Sequence, residues 1–244
     1  MIRKLGEEML KISNYRKSYG KKVAVDGIDL EVLPQEIFGF IGHNGAGKTT
    51  TIKGIVGIME FDDGEILING NSISKDPIKC KMDMAYIPDN SEFYEVLTGI
   101  KYINFIADIY EVPKEKREML IKKYADLFEL TPNLGDSISS YSRGMKQKLA
   151  IIAALVHEPK LLVLDEPFVG LDPKASHSLK MIMHEICDKG GSIFFSTHVL
   201  EVAEKLCDHV AIIKEGKIVA SGTMEEVMGE RSLEEVFLGM IDHE

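Results

Sequence analysis

Residues 37–50 read IFGFIGHNGAGKTT and carry the strongest signal of the fold in this chain. The first five residues form a compact apolar run that predicts a buried strand, Ile37–Ile41. The next eight fit the pattern G-x-x-x-x-G-K-[ST], and a predicted helix begins at Lys48. Glycines let such a loop wrap a polyphosphate with its N–H groups pointing inward, and the helix N-terminus adds partial positive charge. The stretch therefore predicts a phosphate-binding loop.

The side chains of this loop predict contacts to a nucleotide. Lys48 can reach the β and γ phosphates, Thr49 offers a hydroxyl to Mg²⁺, and Thr50 can contact the α-phosphate. His43 is expected to contribute its backbone rather than its imidazole. A glycine-rich turn that binds nothing is the alternative, and the flanking strand and helix disfavour it. The predicted nucleotide-binding residues of the loop are Gly42, His43, Asn44, Gly45, Ala46, Gly47, Lys48, Thr49 and Thr50.

A pair of acids follows a second apolar run, residues 161–164. Ligands bind at the carboxyl ends of strands in open α/β sheets, so Asp165 is predicted to hold Mg²⁺ directly or through water. Adjacent strand residues face opposite ways, so Glu166 is predicted to orient or deprotonate the water that attacks the γ-phosphate. Two acids after an apolar run are a weak signal alone, but with the loop they predict a hydrolytic site.

Strand and helix patterns alternate along most of the remaining chain, which predicts a parallel α/β sheet. A turn is expected at Asp26-Gly27, and two capping boxes mark the C-terminal tail. Strand patterns lie at residues 10–13, 23–32, 65–68, Met84–Ile87, 192–195 and 210–213, and helical patterns at residues 100–110, 114–128, 143–157, 175–189 and Leu200–Leu206.

The composition narrows the class of protein. Among 244 residues, 29 Lys and Arg oppose 39 Asp and Glu, a formal charge of −10, which disfavours a nucleic-acid partner. The longest unbroken apolar run, residues 149–156, is far shorter than the roughly 20 residues of a membrane span. The N-terminus lacks the apolar region of a secretory signal. Three widely separated cysteines are typical of free thiols in a reducing cytosol.

Three further motifs complete a recognisable set: Tyr141-Ser142-Arg143-Gly144-Met145, Gly170-Leu171-Asp172-Pro173 and Ser196-Thr197-His198. With the loop and the acid pair, in this order, they resemble the ATP-binding-cassette (ABC) ATPases from about residue 10 to residue 222. The resemblance implies an α/β fold, a P-loop NTPase RecA-like core with an antiparallel β subdomain and a helical subdomain. It implies one domain over residues 1–244, with the helical subdomain at about 89–157 and a short helical tail at about 223–244.

The resemblance also implies roles for individual residues. In that family two cassettes pair head to tail around two ATP molecules, so Ser142, Arg143 and Gly144 would act on the γ-phosphate bound by the partner. Asp172 would communicate across the dimer. His198 would contact the γ-phosphate and sense its loss, acting with Glu166 in catalysis. Tyr19 stands where the family places an aromatic ring that stacks on adenine.

Two positions depart from the usual family pattern. The signature is commonly L-S-G-G-Q, and here it reads Y-S-R-G-M, so Arg143 adds a cation near phosphate. Asp89 replaces the usual Gln, and its shorter, charged side chain can still ligate Mg²⁺. The signature looks like that of the exporter branch, which pairs a short cassette with a separate membrane subunit. Residues 90–109 look like the region that forms the groove for that subunit.

The implied function is the ATP-hydrolysing subunit of an exporter, using ATP and Mg²⁺. Its implied partners are a second cassette, identical or different, and a separate transmembrane permease, which would hold it at the cytoplasmic face of the cell membrane. A soluble ABC ATPase of the iron–sulfur assembly type stays open. A repair ATPase is disfavoured because no coiled-coil heptads separate Lys48 from Ser142, and ribosome-binding types usually carry two cassettes. A P-loop kinase or GTPase lacks the signature and His198.

Overall fold

A computed structural model describes residues 8–241 and, for Ile241, only the backbone. The ends of the predicted domain and of its tail, residues 1–7 and 242–244, lie outside the described residues. The strands are β1 (Leu10–Tyr19), β2 (Lys22–Val32), β3 (Ile37–Ile41), β4 (Asp63–Ile68), β5 (Asn71–Ser72), β6 (Met84–Ile87), β7 (Leu161–Asp165), β8 (Ser192–Thr197), β9 (His209–Lys214) and β10 (Lys217–Thr223).

The α-helices are α1 (Lys48–Ile55), α2 (Pro77–Asp83), α3 (Gly99–Ile109), α4 (Lys114–Leu127), α5 (Arg143–Leu155), α6 (Pro173–Asp188), α7 (Leu200–Leu206), α8 (Met224–Met228) and α9 (Leu233–Ile241). Two short 3-10 helices, Thr131–Asn133 and Ile138–Ser140, join α4 to α5. Within residues 8–241, every helix is too short or too polar to cross a bilayer.

A six-stranded sheet forms the centre of the molecule, in the order β10-β9-β3-β8-β7-β6. Its strands run parallel except β10, which pairs antiparallel with β9 at one edge. Every residue of β3, β7 and β8 is buried, as expected for strands covered on both faces. The predicted parallel α/β sheet is therefore present, and β10 and α2 are elements that the sequence patterns missed.

A second, antiparallel sheet has the order β2-β1-β4-β5. The turn expected at Asp26-Gly27 is wrong, because both residues lie inside β2. Gly27 has a φ of +66°, and the pairing of β1 with β2 shifts register between Tyr15 and Lys17. A glycine in the left-handed region is typical of a β-bulge, which bends a strand without ending it. Asn69-Gly70, a typical turn pair, does lie in a turn, between β4 and β5.

Two apolar cores hold these layers together. One lies between the central sheet and the helices from α3 to α7, and the other lies between the two sheets and around α1. Tyr15 is fully buried in the second core, where its hydroxyl donates to the carbonyl of Thr50 at 3.0 Å. This packing fixes α1, and hence the loop before it, against the antiparallel sheet.

Candidate functional site

A cavity of about 550 Å³ opens at the carboxyl ends of the central strands. This volume lies within the range of ordinary ligand pockets. Most of the predicted phosphate loop lines it, together with Asp165, Glu166, Asp89 and Tyr19. The strand order places β8 between β3 and β7, so the segments that follow these three strands meet at one edge.

Close packing explains the glycines of the loop. Gly45 and Gly47 have φ values of +84° and +116°, a region that other residues rarely adopt. A Cβ on Gly47 would lie 2.9 Å from the carbonyl oxygen of Ala24, and one on Gly42 would lie 2.6 Å from that of Ile213. The loop therefore takes its shape against β2 and β9, and only glycine fits at these positions.

Lys48 is buried, with 6% of its surface exposed, and its ammonium group is held by the loop itself. Nζ donates to the carbonyl oxygens of Gly42 at 2.6 Å and His43 at 3.3 Å. It also lies 3.6 Å from Oε1 of Glu166. Burial lowers the pKa of Lys48, and the nearby carboxylates of Glu166 and Asp165 oppose this shift. The loop carbonyls and Glu166 thus fix the position of the cation.

Asp165 lies at the end of β7 and accepts two hydroxyl hydrogen bonds. Thr49 Oγ1 donates to its Oδ2 at 3.0 Å, and Ser196 Oγ donates to its Oδ1. Asp165 and Ser196 are almost completely buried. Hydroxyl and carboxylate oxygens are the donors that Mg²⁺ prefers, and this ion usually takes its other ligands from phosphates and water. In the described part of the chain, no group of three or more His, Cys, Asp or Glu side chains could hold a metal alone.

Glu166 follows the last residue of β7, so strand alternation does not set its orientation, contrary to the sequence argument. Its φ of +49° is left-handed, which is costly for a residue with a Cβ and is often found at functional sites. Its N–H donates to the carbonyl oxygen of Ser196 at 3.2 Å. The turn directs its carboxylate to Lys48 Nζ and to His198 Nδ1, at 3.6 Å and 2.9 Å.

The contact between His198 and Glu166 shows which ring nitrogen carries a proton. A carboxylate only accepts, so Nδ1 of His198 donates to Oε1 of Glu166. A phosphate oxygen also only accepts, so a hydrogen bond from Nε2 to phosphate requires a second proton on the ring. The His198 side chain is about half exposed, which leaves Nε2 room for such a contact.

Tyr19 lines the same cavity at the end of β1. It is 51% exposed, and its hydroxyl contacts Met59 Sδ at 2.8 Å. The ring is therefore held at one end and open to solvent on its surface.

The signature residues and Asp172 do not line this cavity in their own chain. Ser142 caps α5 by accepting from the N–H of Met145, and Asp172 caps α6 by accepting from the N–H of Ala175. The ion pair with Lys148 and this cap lower the pKa of Asp172. Gly144 approaches the backbone of Gly170, where a Cβ would lie 3.1 Å from the carbonyl oxygen.

Arg143 forms an ion pair with Asp89, the second residue that departs from the family pattern. Its Nη2 lies 3.9 Å from Oδ1 of Asp89, and both side chains are largely exposed. Asp89 also lines the cavity of about 550 Å³, so it lies between that cavity and the start of α5.

Sequence reasoning missed several residues of the site, among them Ser196 and Glu215. Ser196 was noted only as part of a motif, yet its hydroxyl holds Asp165. Glu215 follows β9 and lines the cavity. Both lie where parallel strands end, at the edge at which ligands bind. That position is the signal that could have found them.

Comparisons with known proteins identify the family that this chain resembles. The family model described as "ABC transporter" matches residues 25–169, and a model described as "AAA domain, putative AbiEii toxin, Type IV TA system" matches residues 137–204. The ABC-type transporter ATP-binding protein EcsA of Bacillus subtilis (strain 168) is 34% identical over 235 residues, covering 94% of this chain and 95% of EcsA. The linearmycin resistance ATP-binding protein LnrL of the same organism is 34% identical over 219 residues, covering 90% of this chain and 70% of LnrL.

A solved structure described as "Structure of ATP binding subunit of ABC transporter" has the same fold as this chain. It superposes with a TM-score of 0.92 at 34% identity, covering 96% of this chain and 100% of that one. The predicted fold class, an α/β P-loop NTPase, is confirmed.

Proposed function

This chain belongs to the ATP-binding subunits of ABC transporters, and from that premise we propose that it hydrolyses ATP to power an exporter. The observation that carries the proposal is the meeting of Lys48, Thr49, Asp165, Glu166 and His198 at one end of the cavity. Adenine would stack on Tyr19, and the triphosphate would lie along the loop from Gly42 to Thr50.

Glu166 is the proposed general base. In the free chain its carboxylate accepts from His198 and lies beside Lys48, which neutralises it. A bound γ-phosphate would compete for Lys48 and leave the carboxylate free to take a proton from water. His198 would then hold Glu166 through Nδ1 and contact the phosphate through Nε2.

Thr49, Asp165 and Asp89 are the residues that would hold Mg²⁺. When bound, the ion would neutralise charge on the β and γ phosphates. Ser196 keeps the carboxylate of Asp165 in place from the buried side. The chain supplies few oxygens of its own, so the metal and the nucleotide would bind together.

A second cassette, identical or different, would complete each site. Ser142, Arg143 and Asp172 are exposed and lie outside the cavity of their own chain, which supports their action on a partner's nucleotide. The start of α5 supplies backbone N–H groups to an anion placed there. Loss of the γ-phosphate would remove these contacts and open the pair.

A separate transmembrane subunit would bind beside α3. Large apolar side chains are exposed in and near residues 90–109, among them Tyr94, Phe105 and Ile109 at 66%, 43% and 54%. Exposed apolar clusters commonly mark interaction sites. Such a partner would hold this chain at the cytoplasmic face of the membrane. The form of the signature, and the word "resistance" in the name of LnrL, support export.

The domain division follows the same proposal. Residues 1–244 would form one nucleotide-binding domain, in which about 89–157 is the helical subdomain and about 223–244 the tail. Helices α3, α4 and α5 fall in the first range and α8 and α9 in the second.

The test is Glu166→Gln, with Glu230→Gln as the matched control at an exposed position. We expect the first variant to lose phosphate release, bind ATP as tightly as wild type and form an ATP-dependent dimer by light scattering. The control should retain activity. Full ATPase activity in Glu166→Gln would exclude Glu166 as the base, and a variant that stays monomeric with ATP would exclude pairing.

A further inference from the structure

An acidic side chain at the turn between β9 and β10 lines the cavity of about 550 Å³ and has no part in the proposed catalysis. This residue, Glu215, is exposed and forms no side-chain hydrogen bond or ion pair within residues 8–241. A carboxylate beside a triphosphate repels it, which weakens binding unless the carboxylate contacts another part of the ligand. Glu215 therefore points to a group on the nucleotide other than a phosphate.

Backbone contacts fix the position of this turn. The N–H of Gly216 donates to the carbonyl oxygen of Ala46 in the phosphate loop at 2.9 Å, and the carbonyl oxygen of Gly216 accepts from the N–H of Asp26 in β2 at 2.9 Å. A Cβ on Gly216 would lie 2.7 Å from the carbonyl oxygen of Ala24, so only glycine allows this approach. Glu215 is thus held beside both the phosphate loop and β2.

The register of the central sheet separates Glu215 from the residues proposed to hold Mg²⁺. Asp165 pairs with Ser196 of β8, and Phe40 of β3 pairs with both Ser196 and Ala211 of β9. Three strand spacings, about 14 Å, therefore separate Asp165 from Ala211, and Glu215 lies four residues farther along the chain, about 13 Å more in the strand direction. Mg²⁺ takes its ligands at about 2.0–2.1 Å, so the two carboxylates cannot bind one ion.

The hairpin of β1 and β2 forms the neighbouring wall of the cavity. Tyr19 pairs with Lys22 where the hairpin closes, and Lys22, Val23 and Ala24 line the cavity with Tyr19. In the proposed nucleotide pose, adenine stacks on Tyr19 and the triphosphate follows the loop. The ribose joins these two parts, so it would lie along β2 and beside Glu215.

The ribose carries groups that a carboxylate can bind. A carboxylate only accepts hydrogen bonds, and its two oxygens can accept from two donors. The 2′ and 3′ hydroxyls of ribose are adjacent donors, whereas phosphate oxygens only accept. An acidic side chain binds the 2′ hydroxyl of ribose in dinucleotide-binding folds, so the chemistry is well suited to this sugar.

We infer that Glu215 accepts hydrogen bonds from the 2′ and 3′ hydroxyls of the bound nucleotide and so selects ribonucleotides over nucleotides that lack these groups. The inference rests on the proposed binding of ATP and adds the residue that recognises its sugar. Because the turn is held by both the phosphate loop and β2, the carboxylate is presented without the cost of ordering a loop.

The test compares ADP with 2′,3′-dideoxy-ADP, each with Mg²⁺, by isothermal titration calorimetry on the purified full chain. Neither nucleotide has a γ-phosphate, so hydrolysis does not enter the measurement. Wild type should bind ADP about tenfold more tightly, as expected for hydrogen bonds to a charged group. In Glu215→Asn the ratio of the two dissociation constants should fall to about twofold or less, because the shorter amide side chain loses these hydrogen bonds.

Matched variants separate recognition of the sugar from folding. Asn is tolerated in the left-handed conformation, and loss of an anion near the phosphates should leave the affinity for the dideoxy nucleotide equal or tighter in Glu215→Asn. If that variant fails to fold, Glu215→Gln should also lower the ratio, because a neutral acceptor forms weaker hydrogen bonds. The control is Glu111→Asn. Glu111 is exposed, has a φ of +53° against +49° for Glu215, and does not line the cavity, so the wild-type ratio should persist.

Two results would overturn this inference and leave the proposed function intact. One is equal affinity of wild type for the two nucleotides, and the other is a wild-type ratio in the folded Glu215 variants. A wild-type chain that binds neither nucleotide would overturn the proposed function as well.

Discussion

Ser196→Ala tests whether the buried hydroxyl holds the carboxylate of Asp165. The two side chains are 0% and 3% exposed. Removing the hydroxyl leaves Oδ1 of Asp165 without this donor, while Thr49 still donates to Oδ2 at 3.0 Å. Losing one hydrogen bond to a buried charged group costs about 1.5–3 kcal/mol. At about 2–4 °C per kcal/mol for a domain of this size, the melting temperature should fall by about 3–12 °C.

Ser192→Ala is the matched control for this prediction. Ser192 is also fully buried, and its hydroxyl donates at 2.7 Å to a neutral acceptor, the carbonyl oxygen of Leu33. A neutral hydrogen bond contributes about 0.5–1.5 kcal/mol, so this variant should lose less stability. Differential scanning calorimetry of the two variants gives the comparison directly.

A second measurement addresses the site rather than the fold. If Ser196 orients Asp165 for Mg²⁺, Ser196→Ala should raise the Mg²⁺ concentration needed for half-maximal ATPase activity, and Ser192→Ala should not. The reasoning is refuted if Ser196→Ala costs no more stability than Ser192→Ala, or if both variants keep the Mg²⁺ dependence of wild type.

Three further predictions concern stability and nucleotide binding. Burial lowers the pKa of His157 from 6.5 to about 4, so the unfolded chain binds more protons between these values. Stability should therefore fall as pH falls from 6.5 to 4, by up to about 3 kcal/mol, and urea unfolding should show less of this loss in His157→Phe. An equal loss of stability in the wild type and in His157→Phe would contradict the role given to His157. A Cβ on Gly54 would lie 2.6 Å from the hydroxyl oxygen of Tyr15 and 2.7–2.8 Å from two of its ring carbons, so Gly54→Ala should cost about 1–3 kcal/mol of stability. Gly239 in α9 is the control, since a Cβ there would meet open space, and Gly239→Ala should raise the free energy of unfolding by up to about 1 kcal/mol. Shifts of the melting temperature with the same sign in the two variants would refute the packing argument. Tyr19→Ala should raise the KM for ATP about fivefold and leave kcat unchanged, because stacking on a base contributes at least about 1 kcal/mol. An unaltered KM would exclude stacking of adenine on Tyr19.

Sequence patterns predicted the strands and helices whose own residues carry a clear apolar pattern. The bounds of β3, β6 and α7 agree with the sequence patterns, because a buried strand is an unbroken apolar run and a short helix shows its own periodicity. The phosphate loop is contiguous in sequence, so its geometry could be anticipated from its glycines and its lysine alone.

The elements that were missed have weak local signals. β10 is an edge strand whose residues are nearly all partly or fully exposed, so it lacks an apolar run. α2 buries only Cys80 of its seven residues, so its sequence shows no apolar face. At Asp26-Gly27 the usual turn signal was overridden, because pairing with β1 continues on both sides of the bulge.

Short contiguous motifs were enough to predict the family, the fold class and the residues that a phosphate site requires. Which of those residues contact one another follows from the order in which the strands pack. Strand β8 lies between β3 and β7, which brings the hydroxyl of Ser196 onto Asp165 across 31 positions of sequence. The left-handed turn at Glu166 sets its contacts with Lys48 and His198. Such contacts depend on strand order and on the fit of distant side chains, which a linear pattern does not specify.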